Sequence, residues 1–518
     1  MRITTQMMTT NLLNNISRNK KNMNELANQY ATEQKIQKPS DDPVVAVRAL
    51  KYSSQITELS QYLEKNIEDA FGWMNITESA MKSVNSVLEL MDTYCTEAAN
   101  DTYENDDRNA IIATLKQYRD QILDLGNTDY AGRYVFTGFR TDTPLLFDEK
   151  STDITYSVYE NLKFSDIKKT SYVKGGPVYV AGTTADEYAA QAPTLENCKK
   201  LTLAYHDLDE TVPDINGEPV SSLKALNITL EDGTILTIPS AEADALGYQL
   251  VTTSIKERDC YTATTSDNPD GTFIKQIKFI PETGEVIFCD DIYREIQDCT
   301  NIEAVYNKTK FEKGDVRPEH YFQCDTLNNE NGKVINYSAP SQQDIQYEIN
   351  FSQKLTVNTM ACNSISTNIA SKIEEIINAI NTCYDVEDRI AAVDKQIEDT
   401  SDADEKANLQ ELRNQLETEQ VLKKKVMQEA FASGITTVQE SQNEMNVAIA
   451  NHGSRYNRLQ LTESRLKNQK VDFNEMYTSN FYVNIEDVAI EYKTAETVYN
   501  ASLYCSSAIV QKSLLEFL

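Results

Sequence analysis

A heptad pattern that runs from Ala49 to Tyr94 constrains the fold of this chain more than any other feature. Its two interleaved series alternate at spacings of three and four residues: Ala49, Tyr52, Ile56, Leu59, Leu63, Asn66, Ala70, Trp73, Thr77, Ala80, Val84, Val87, Met91 and Tyr94. A pattern sustained over so many turns is typical of a long helix packed as in a coiled coil. The polar positions Asn66 and Thr77 could fix the register of that packing.

Helix breakers are scarce throughout the chain, which favours further long helices. Gly and Pro number 16 and 12 among 518 residues, well under half of the roughly 12% that average usage gives. Helical spacing of apolar residues predicts a helix over about 106–125, an antiparallel helical hairpin over about 386–425 and a further helix over about 426–474.

The stretch Lys38–Pro43, KPSDDP, separates the first helical segment from the heptad segment. Pro39 disfavours helical geometry at Lys38, so the first helix is expected to end at or before that residue. Pro43 suits the first position of a helix, and Asp42 can cap it. The residues of this predicted joint are Pro39, Ser40, Asp41, Asp42 and Pro43.

Each end of the chain carries one apolar stripe at helical spacing. The predicted assembly residues are Met8, Leu12, Ile16, Met23, Leu26 and Tyr30 at the N-terminal end, and Val488, Tyr492, Ala495, Tyr499, Leu503, Ile509, Leu514, Leu515 and Phe517 at the C-terminal end. Residues 1–38 hold six bases and two acids, whereas 481–518 hold five acids and two bases. Opposite charges would guide pairing of the ends with each other or with neighbouring copies, because exposed ion pairs add little stability.

The middle of the chain has strand and turn signals instead. Residues 227–239, NITLEDGTILTIP, have the pattern of a β-hairpin with an Asp-Gly turn, and residues 276–289, QIKFIPETGEVIFC, that of a hairpin with a longer loop. We therefore predict a β-rich insert between two helical arms.

Together these patterns predict a mainly α protein with a β-rich insert. The arms from both chain ends would pack as an elongated helical rod, with the terminal helices paired and the β domain projecting. The predicted segments are an N-terminal helix (1–38), N-terminal rod helices (40–148), a β-rich domain (149–350), C-terminal rod helices with the extra hairpin (351–476) and a C-terminal helix (477–518).

Composition and motifs argue against catalysis and against several classes of partner. The net charge of −31 disfavours nucleic acid and anionic membranes, and no apolar run approaches the length of a membrane span. Nine scattered cysteines indicate free thiols rather than a disulfide framework. His206, His320 and His452 lie far apart, and no zinc-ligand, phosphate-loop or nucleophile motif is present. We predict no enzyme, no metal site and no cofactor.

Four short stretches in a fixed order resemble the flagellin superfamily. They are MRITTQMM at 1–8, PSDDP at 39–43, GRYVFTGF at 132–139 and SLLEFL at 513–518. The sequence of the GRYVFTGF stretch resembles the hook-associated branch of that superfamily more than flagellin. Residues 451–459, NHGSRYNRL, are similar to another family stretch, with Ser454 where alanine is usual. The motif residues are Gly132, Arg133, Tyr134, Phe136, Gly138, Gly453, Arg455, Asn457 and Arg458.

This resemblance implies a structural adaptor of the bacterial flagellum that polymerises as a short helical layer. The terminal segments would form an inner tube and the helical arms an outer rod. The partners would be further copies of the chain, a neighbouring hook-associated protein, flagellin and an export chaperone. The protein would reach the extracellular flagellum through the flagellar export apparatus, without a cleaved signal peptide.

Three alternatives stay open at this point. The chain could be flagellin itself, or a flagellin-like scaffold that carries an enzyme in its β insert. Without the family resemblance, the helical stripes would also fit a set of surface helices on one globule.

Overall fold

The computed structural model describes residues 5–99, 105–213, 219–257, 259–267, 273–329, 332–340 and 343–515. The chain divides into two compact units, the first made of residues 1–71, 347–355 and 456–518 and the second of residues 72–346 and 356–455. This division falls inside both predicted rod segments, because the helices that carry residues 71–72 and 455–456 run on through the boundary.

Helices fill both ends of the chain. The described residues form α1 (Thr5–Thr32), α2 (Pro43–Gln61), α3 (Glu68–Ala98), α4 (Asn105–Gly126), α5 (Ala185–Ala189), α6 (Ala241–Ala245), α7 (Asp290–Glu295), α8 (Asn368–Asp399), α9 (Ala403–Phe481) and α10 (Ile485–Leu515). A π-helical turn, Tyr62–Ile67, joins α2 to α3, so the chain is helical from Pro43 to Ala98.

The predicted heptad seam is confirmed. Every one of its fourteen positions is buried or half-buried. The two polar positions behave differently from each other. Asn66 Nδ2 donates to the backbone carbonyl of Glu348 at 2.8 Å, whereas the Thr77 hydroxyl donates to the Trp73 carbonyl of its own helix at 2.9 Å. Of these two residues, only Asn66 therefore forms a side-chain hydrogen bond from the helix to another segment.

The first helix ends at Thr32, six residues before the predicted boundary at Lys38. Glu33 takes a left-handed conformation with φ 59°. Its carbonyl accepts from the Val483 N–H, and the Lys35 N–H donates to the Phe481 carbonyl, both at 2.9 Å. These bonds use backbone groups that a continuing helix would need, so the helix stops before the proline.

Helix α9 is much longer than predicted. It spans Ala403–Phe481 without a break, and α10 begins at Ile485, so the break between these helices lies several residues beyond the predicted segment boundary at 477. The actual interruption, residues 482–484, is where Tyr482 forms an antiparallel bridge with Gln34. A contact distant in sequence therefore sets this boundary.

The predicted helical hairpin over 386–425 is confirmed in α8 and the first part of α9. Its two arms meet around a small core made of Val393, Leu409, Leu412, Leu416 and, from the insert, Tyr188. Two ion pairs cross between the arms, Asp394 with Arg413 at 2.5 Å and Arg389 with Glu419 at 3.3 Å. The hairpin and the insert thus share apolar contacts within the second unit.

The predicted β-rich insert is confirmed. The described strands are β1 (Asp129–Tyr130), β2 (Arg133–Tyr134), β3 (Ile154–Leu162), β4 (Lys168–Lys174), β5 (Thr194–Thr202), β6 (Thr211–Pro213), β7 (Pro219–Ser221), β8 (Leu223–Thr229), β9 (Ile235–Ile238), β10 (Tyr248–Thr252), β11 (Thr265–Asp267), β12 (Phe273–Ile280), β13 (Glu285–Phe288), β14 (Asn301–Lys308), β15 (Gln323–Asn328), β16 (Val334–Tyr337), β17 (Gln346–Asn350) and β18 (Gln353–Thr356).

Two six-stranded sheets share one hydrophobic core. One sheet has the order β16-β15-β3-β14-β8-β9, and the other has β10-β12-β13-β5-β4 with β11 also paired to β12. The core includes Val158 and Tyr306 from the first sheet and Leu201 and Phe279 from the second. The sheets therefore bury their apolar faces against each other, as in a β-sandwich.

Both predicted β-hairpins are present. Strands β8 and β9 pair antiparallel across the Asp-Gly turn, where Gly233 has φ 84°. Strands β12 and β13 pair antiparallel across the longer loop, where Gly284 has φ 66°. Only glycine adopts such conformations without strain, so the turn residues select these hairpins.

Candidate assembly interface

Helices α1 and α10 contact each other in the first unit. Tyr30 stacks on Tyr492 with ring centroids 6.3 Å apart and 7° between the ring planes. Val488 is buried, with 6% of its surface exposed. Of the other predicted stripe residues, Met8 and Leu503 are exposed, and Leu12, Ile16, Met23, Leu26, Ala495 and Tyr499 are half-buried.

Part of the predicted C-terminal stripe falls beyond what the structure describes. The backbone of Ile509, Leu514 and Leu515 belongs to α10, but their side chains lie outside the described residues, as does the whole of Phe517. The first four residues of MRITTQMM and the last three of SLLEFL lie outside them too.

The structure also exposes apolar residues that the sequence reasoning missed. Their exposed fractions lie between 49% and 81%, and they are Met7, Leu13, Ile490, Val498 and Tyr504. Exposed large apolar side chains indicate an interaction surface when they lie together. Ile490 and Val498 line a groove of about 330 Å³, which also includes Asn19 and Asn22 of α1. A second apolar spacing on α10, beside the stripe that contacts α1, was the signal that could have revealed this face.

The joint is held by short-range hydrogen bonds. Asp42 Oδ1 accepts from the N–H groups of Val44 and Val45 at 2.9 and 3.2 Å, which caps α2 as predicted. Asp41 Oδ2 accepts from the N–H of Lys38 at 2.9 Å. Pro39, Ser40 and Pro43 are exposed. The Asp41 carboxylate thus closes the turn and the Asp42 carboxylate starts the next helix.

The joint is also bonded to the C-terminal end of α9. Asn480 Nδ2 donates to the Val45 carbonyl at 3.0 Å, and Lys35 Nζ donates to the Ser479 carbonyl at 2.5 Å. Together with the backbone bonds of residues 33–35 to 481–483, these contacts tie the two interruptions of the helices to each other. The two helix interruptions therefore lie side by side in the first unit.

The GRYVFTGF stretch contributes the second strand of a small hairpin in the second unit. Its strands pair Tyr130 with Arg133 and Asp129 with Tyr134. Gly132 has φ 76° and donates its N–H to Asp129 Oδ2 at 3.0 Å. The Arg133 guanidinium lies 5.1 Å from the centroid of the Trp73 ring, a cation–π distance. The motif thus packs its arginine on the buried tryptophan of α3.

The second half of this motif reaches another segment. Phe136 is 1% exposed, and its carbonyl accepts from the Ala361 N–H at 2.9 Å. Gly138 has φ 65°, and a Cβ there would lie 2.5 Å from Gln343 Oε1. The left-handed conformation favours glycine at this position.

Arg455 of the other predicted motif binds the segment next to Ala361. Its guanidinium donates to the carbonyls of Thr356 and Asn358 at 3.3 and 2.7 Å, and to the Thr359 hydroxyl at 2.9 Å. The planar fork of arginine suits several acceptors at once. The structure therefore brings Arg133, Phe136 and Arg455 into one motif cluster of the second unit, around Trp73 and residues 356–361.

A histidine completes the motif cluster. His452 is fully buried, with Nε2 2.9 Å from the Met74 carbonyl and Nδ1 3.4 Å from the Thr359 hydroxyl. A carbonyl only accepts, so Nε2 carries the proton. Burial lowers the pKa of His452 and the nearby Arg455 lowers it further. The neutral ring thereby links α9 to α3, a role that the sequence did not reveal.

The remaining motif residues have fewer contacts. Tyr134 is half-buried, and its N–H donates to the Thr141 carbonyl at 2.8 Å. A Cβ at Gly453 would meet no atom within 4 Å, so crowding does not explain that glycine. Asn457 and Arg458 are exposed on α9 in the first unit. Their side chains are therefore available to other molecules.

Reactive or ligand-binding clusters are not apparent in the described residues. All nine cysteines are free, and burial raises the pKa of Cys95 and Cys198 to about 12, which keeps them as thiols. Within the described ranges, no three His, Cys, Asp or Glu residues come together in a way that could hold a metal ion. Across the same ranges, no helix is both long enough and apolar enough to cross a membrane.

Residues 3–141 match the family model of the bacterial flagellin N-terminal helical region. This segment includes the first apolar stripe, the joint, the heptad seam and GRYVFTGF.

The resemblance to flagellar hook-associated protein 3 is confirmed by two curated relatives of that name. The Salmonella typhimurium protein is 33% identical over 144 residues, which cover 27% of this chain and 45% of the relative. The Escherichia coli protein is 31% identical over 153 residues, which cover 29% of this chain and 47% of the relative. This chain therefore spans about half the length of the curated relatives it matches.

A solved structure, FlgL of Xanthomonas campestris, aligns with 83% of this chain and 99% of its own length. Its sequence identity is 12% and its TM-score is 0.30.

Proposed function

We propose that this chain is a structural adaptor of the bacterial flagellum, without enzymatic activity, that polymerises as a short helical layer between a hook-associated layer and the flagellin filament. The observation that carries the proposal is the match, at about one-third identity, to proteins named flagellar hook-associated protein 3. The exposed apolar residues of α1 and α10 support the polymerising part, because a monomer seldom leaves such residues clustered in water.

The terminal helices are the proposed inner layer of that polymer. The stacked Tyr30 and Tyr492 and the buried Val488 support an α1–α10 pair within each copy. Met7, Leu13 and Tyr504 would then be covered by adjacent copies. Contacts of this kind between unlike surfaces repeat head to tail and build a helix rather than a closed dimer.

The proposed partners follow from the layer's position. A hook-associated protein would bind one side and flagellin the other, and an export chaperone would hold the chain before assembly. Its place of action would be the extracellular flagellum, reached through the flagellar export apparatus. The large β-rich insert would serve a purpose other than joining, since the matched family segment lies outside it.

Flagellin is the second candidate, because the matched family model describes a region of flagellin. The two functions differ in where the protein lies. A short epitope inserted between Asp232 and Gly233, in the exposed turn of the β8–β9 hairpin, would mark the protein without disturbing a helix. Gold labelling in electron microscopy should then mark one point between hook and filament. Labelling all along the filament would show that the chain is flagellin.

A further inference from the structure

Helix α2 presents an exposed face that carries both apolar and basic side chains. Val44, Val47 and Leu50 are 57%, 54% and 68% exposed, and Arg48 and Lys51 are exposed between them. With about 3.6 residues per turn, these five positions share one half of the helix surface. We call this set the α2 face.

Helix α10 presents an exposed stripe of the opposite charge. Asp487, Ile490, Glu491, Thr494 and Val498 follow one another at helical spacing, and Ile490 and Val498 are 67% and 49% exposed. Four of these five residues form one wall of the groove between α1 and α10. We call this set the α10 stripe.

The charged residues of the two surfaces have no ion-pair partner among the described residues. Arg48, Lys51, Asp487 and Glu491 form no ion pair within the described part of the molecule. The chain as a whole carries a net charge of −31, so an exposed basic and apolar face is unusual on it. Such a face selects an acidic partner surface with apolar residues, and the α10 stripe has that composition.

We propose that the α2 face of one copy docks in the groove beside the α10 stripe of an adjacent copy. This inference rests on the proposed self-assembly and names the surfaces that make it. Apolar side chains would supply the contact area, and the charges would align the copies and disfavour other pairings. Because the two surfaces differ, each copy keeps one of each free, and the contact repeats along a layer.

Charge reversal tests the pairing in cells that lack the native gene. One variant carries Arg48→Glu with Lys51→Glu, a second carries Asp487→Lys with Glu491→Lys, and a third carries all four changes. The first two should each lower the number of filaments per cell at least tenfold, because like charges meet. The third should restore filaments to within twofold of the native protein, and so should expression of the first two variants together, since each then supplies the surface that the other lacks.

Matched controls separate docking from folding and export. Lys168→Glu with Lys169→Glu makes the same charge change on exposed residues of β4 and should leave filament number unchanged. The amount of each variant secreted into the medium shows whether it folds and is exported. For the native protein, a carbodiimide should join Lys51 of one copy to Asp487 or Glu491 of another in isolated junctions, detected by mass spectrometry with isotopically mixed copies.

Several outcomes would overturn the inference. Normal filament number in the first two variants would do so, as would failure of both the four-residue variant and the co-expressed pair. If the reversed variants are not secreted, the cross-link decides, and its absence would overturn the docking. None of these results changes where gold labelling would locate the native protein, so the proposed function is tested independently of the proposed docking.

Discussion

Replacing Lys200 with methionine tests how the insert is held in the second unit. Lys200 lies in β5 with its side chain 6% exposed, and its Nζ is 2.8 Å from Glu285 Oε1 and 3.0 Å from Glu375 Oε1. Glu285 belongs to β13 and Glu375 to α8, where Lys372 forms a second pair with it at 2.7 Å. One buried ammonium therefore links the sheet to a helix outside it.

The expected cost of the Lys200→Met change is large. Removing one partner of a buried ion pair destabilises a protein by about 3–5 kcal/mol, because the remaining charges are left without compensation. In the variant, Glu285 and Glu375 lose their shared cation, and Lys372 remains as an ion-pair partner of Glu375 alone. We expect the free energy of unfolding at pH 7.5 to fall by about 4 kcal/mol.

The pH dependence gives a sharper test. In the native protein, burial alone would raise the pKa of Glu375, but Lys200 and Lys372 lower it to about 2. A carboxyl group with a lowered folded pKa stabilises the fold above its unfolded pKa of about 4.3, and that stability is lost as the pH falls toward 2. Without Lys200, burial outweighs the remaining attraction of Lys372 to a greater extent, so the pKa of Glu375 rises. The deficit of the variant should therefore shrink between pH 7.5 and pH 5, because protonation removes the unpaired charge.

Urea unfolding followed by fluorescence measures both effects. The chain has one tryptophan, Trp73, which is fully buried in the second unit and reports on its unfolding. Lys199→Met is the matched control, since this neighbour contacts the Tyr293 ring instead and is half-buried. A loss below about 1 kcal/mol for Lys200→Met, the usual ceiling for an exposed pair, would refute the reasoning. So would a deficit that stays constant between pH 7.5 and pH 5.

Three further predictions concern the motif cluster, acid stability and the C-terminus. Arg455→Met should lower the free energy of unfolding by about 1–3 kcal/mol, because it leaves buried acceptors of residues 356–359 unpaired; urea unfolding measures it. Burial lowers the folded pKa of His320 to about 4 from 6.5. The neutral ring therefore contributes up to about 3 kcal/mol of stability at neutral pH, and this contribution is lost as the pH falls from 6.5 to 4. The variant His320→Gln should show a weaker loss of stability over this pH range. Deleting residues 503–518 should abolish filament attachment and leave unfolding of the second unit unchanged.

Each of these predictions has a result that contradicts it. Arg455→Lys keeps the charge but cannot reach three acceptors, so native stability of that variant would show that the hydrogen bonds do not matter. An acid transition as steep in His320→Gln as in the native protein would exclude that histidine as its cause. Normal swimming of the strain with the deletion would show that the C-terminal end has no part in assembly.

The sequence separation of the contacts explains where sequence reasoning succeeded and where it did not. The heptad seam and the two β-hairpins depend on residues close together in the chain, so spacing and turn residues such as Gly233 were enough to predict them. The end of α1 at Thr32 depends on backbone bonds to residues 481–483, far away in sequence. Pro39 gave only the latest position at which that helix could end.

The apolar surface of α1 and α10 was predicted in part for a similar reason. Apolar spacing found the stripe of α10 that includes Val488 and Tyr492, and this stripe contacts α1 of the same chain. Ile490 and Val498 belong to a second, sparser apolar spacing on α10, which the predicted stripe did not include. Likewise, the two carboxylates that contact Lys200 come from two separate segments, β13 and α8, and only the folded chain shows that they meet.

The dependence of labelling on filament length tests the central claim most directly. Filaments of cells that carry the epitope at residues 232–233 can be sorted by length and the label on each counted by fluorescence. A junction layer predicts a constant signal per filament at the hook end, whatever the length of the filament. A signal that rises in proportion to length would show that the chain forms the filament itself and would contradict the adaptor function.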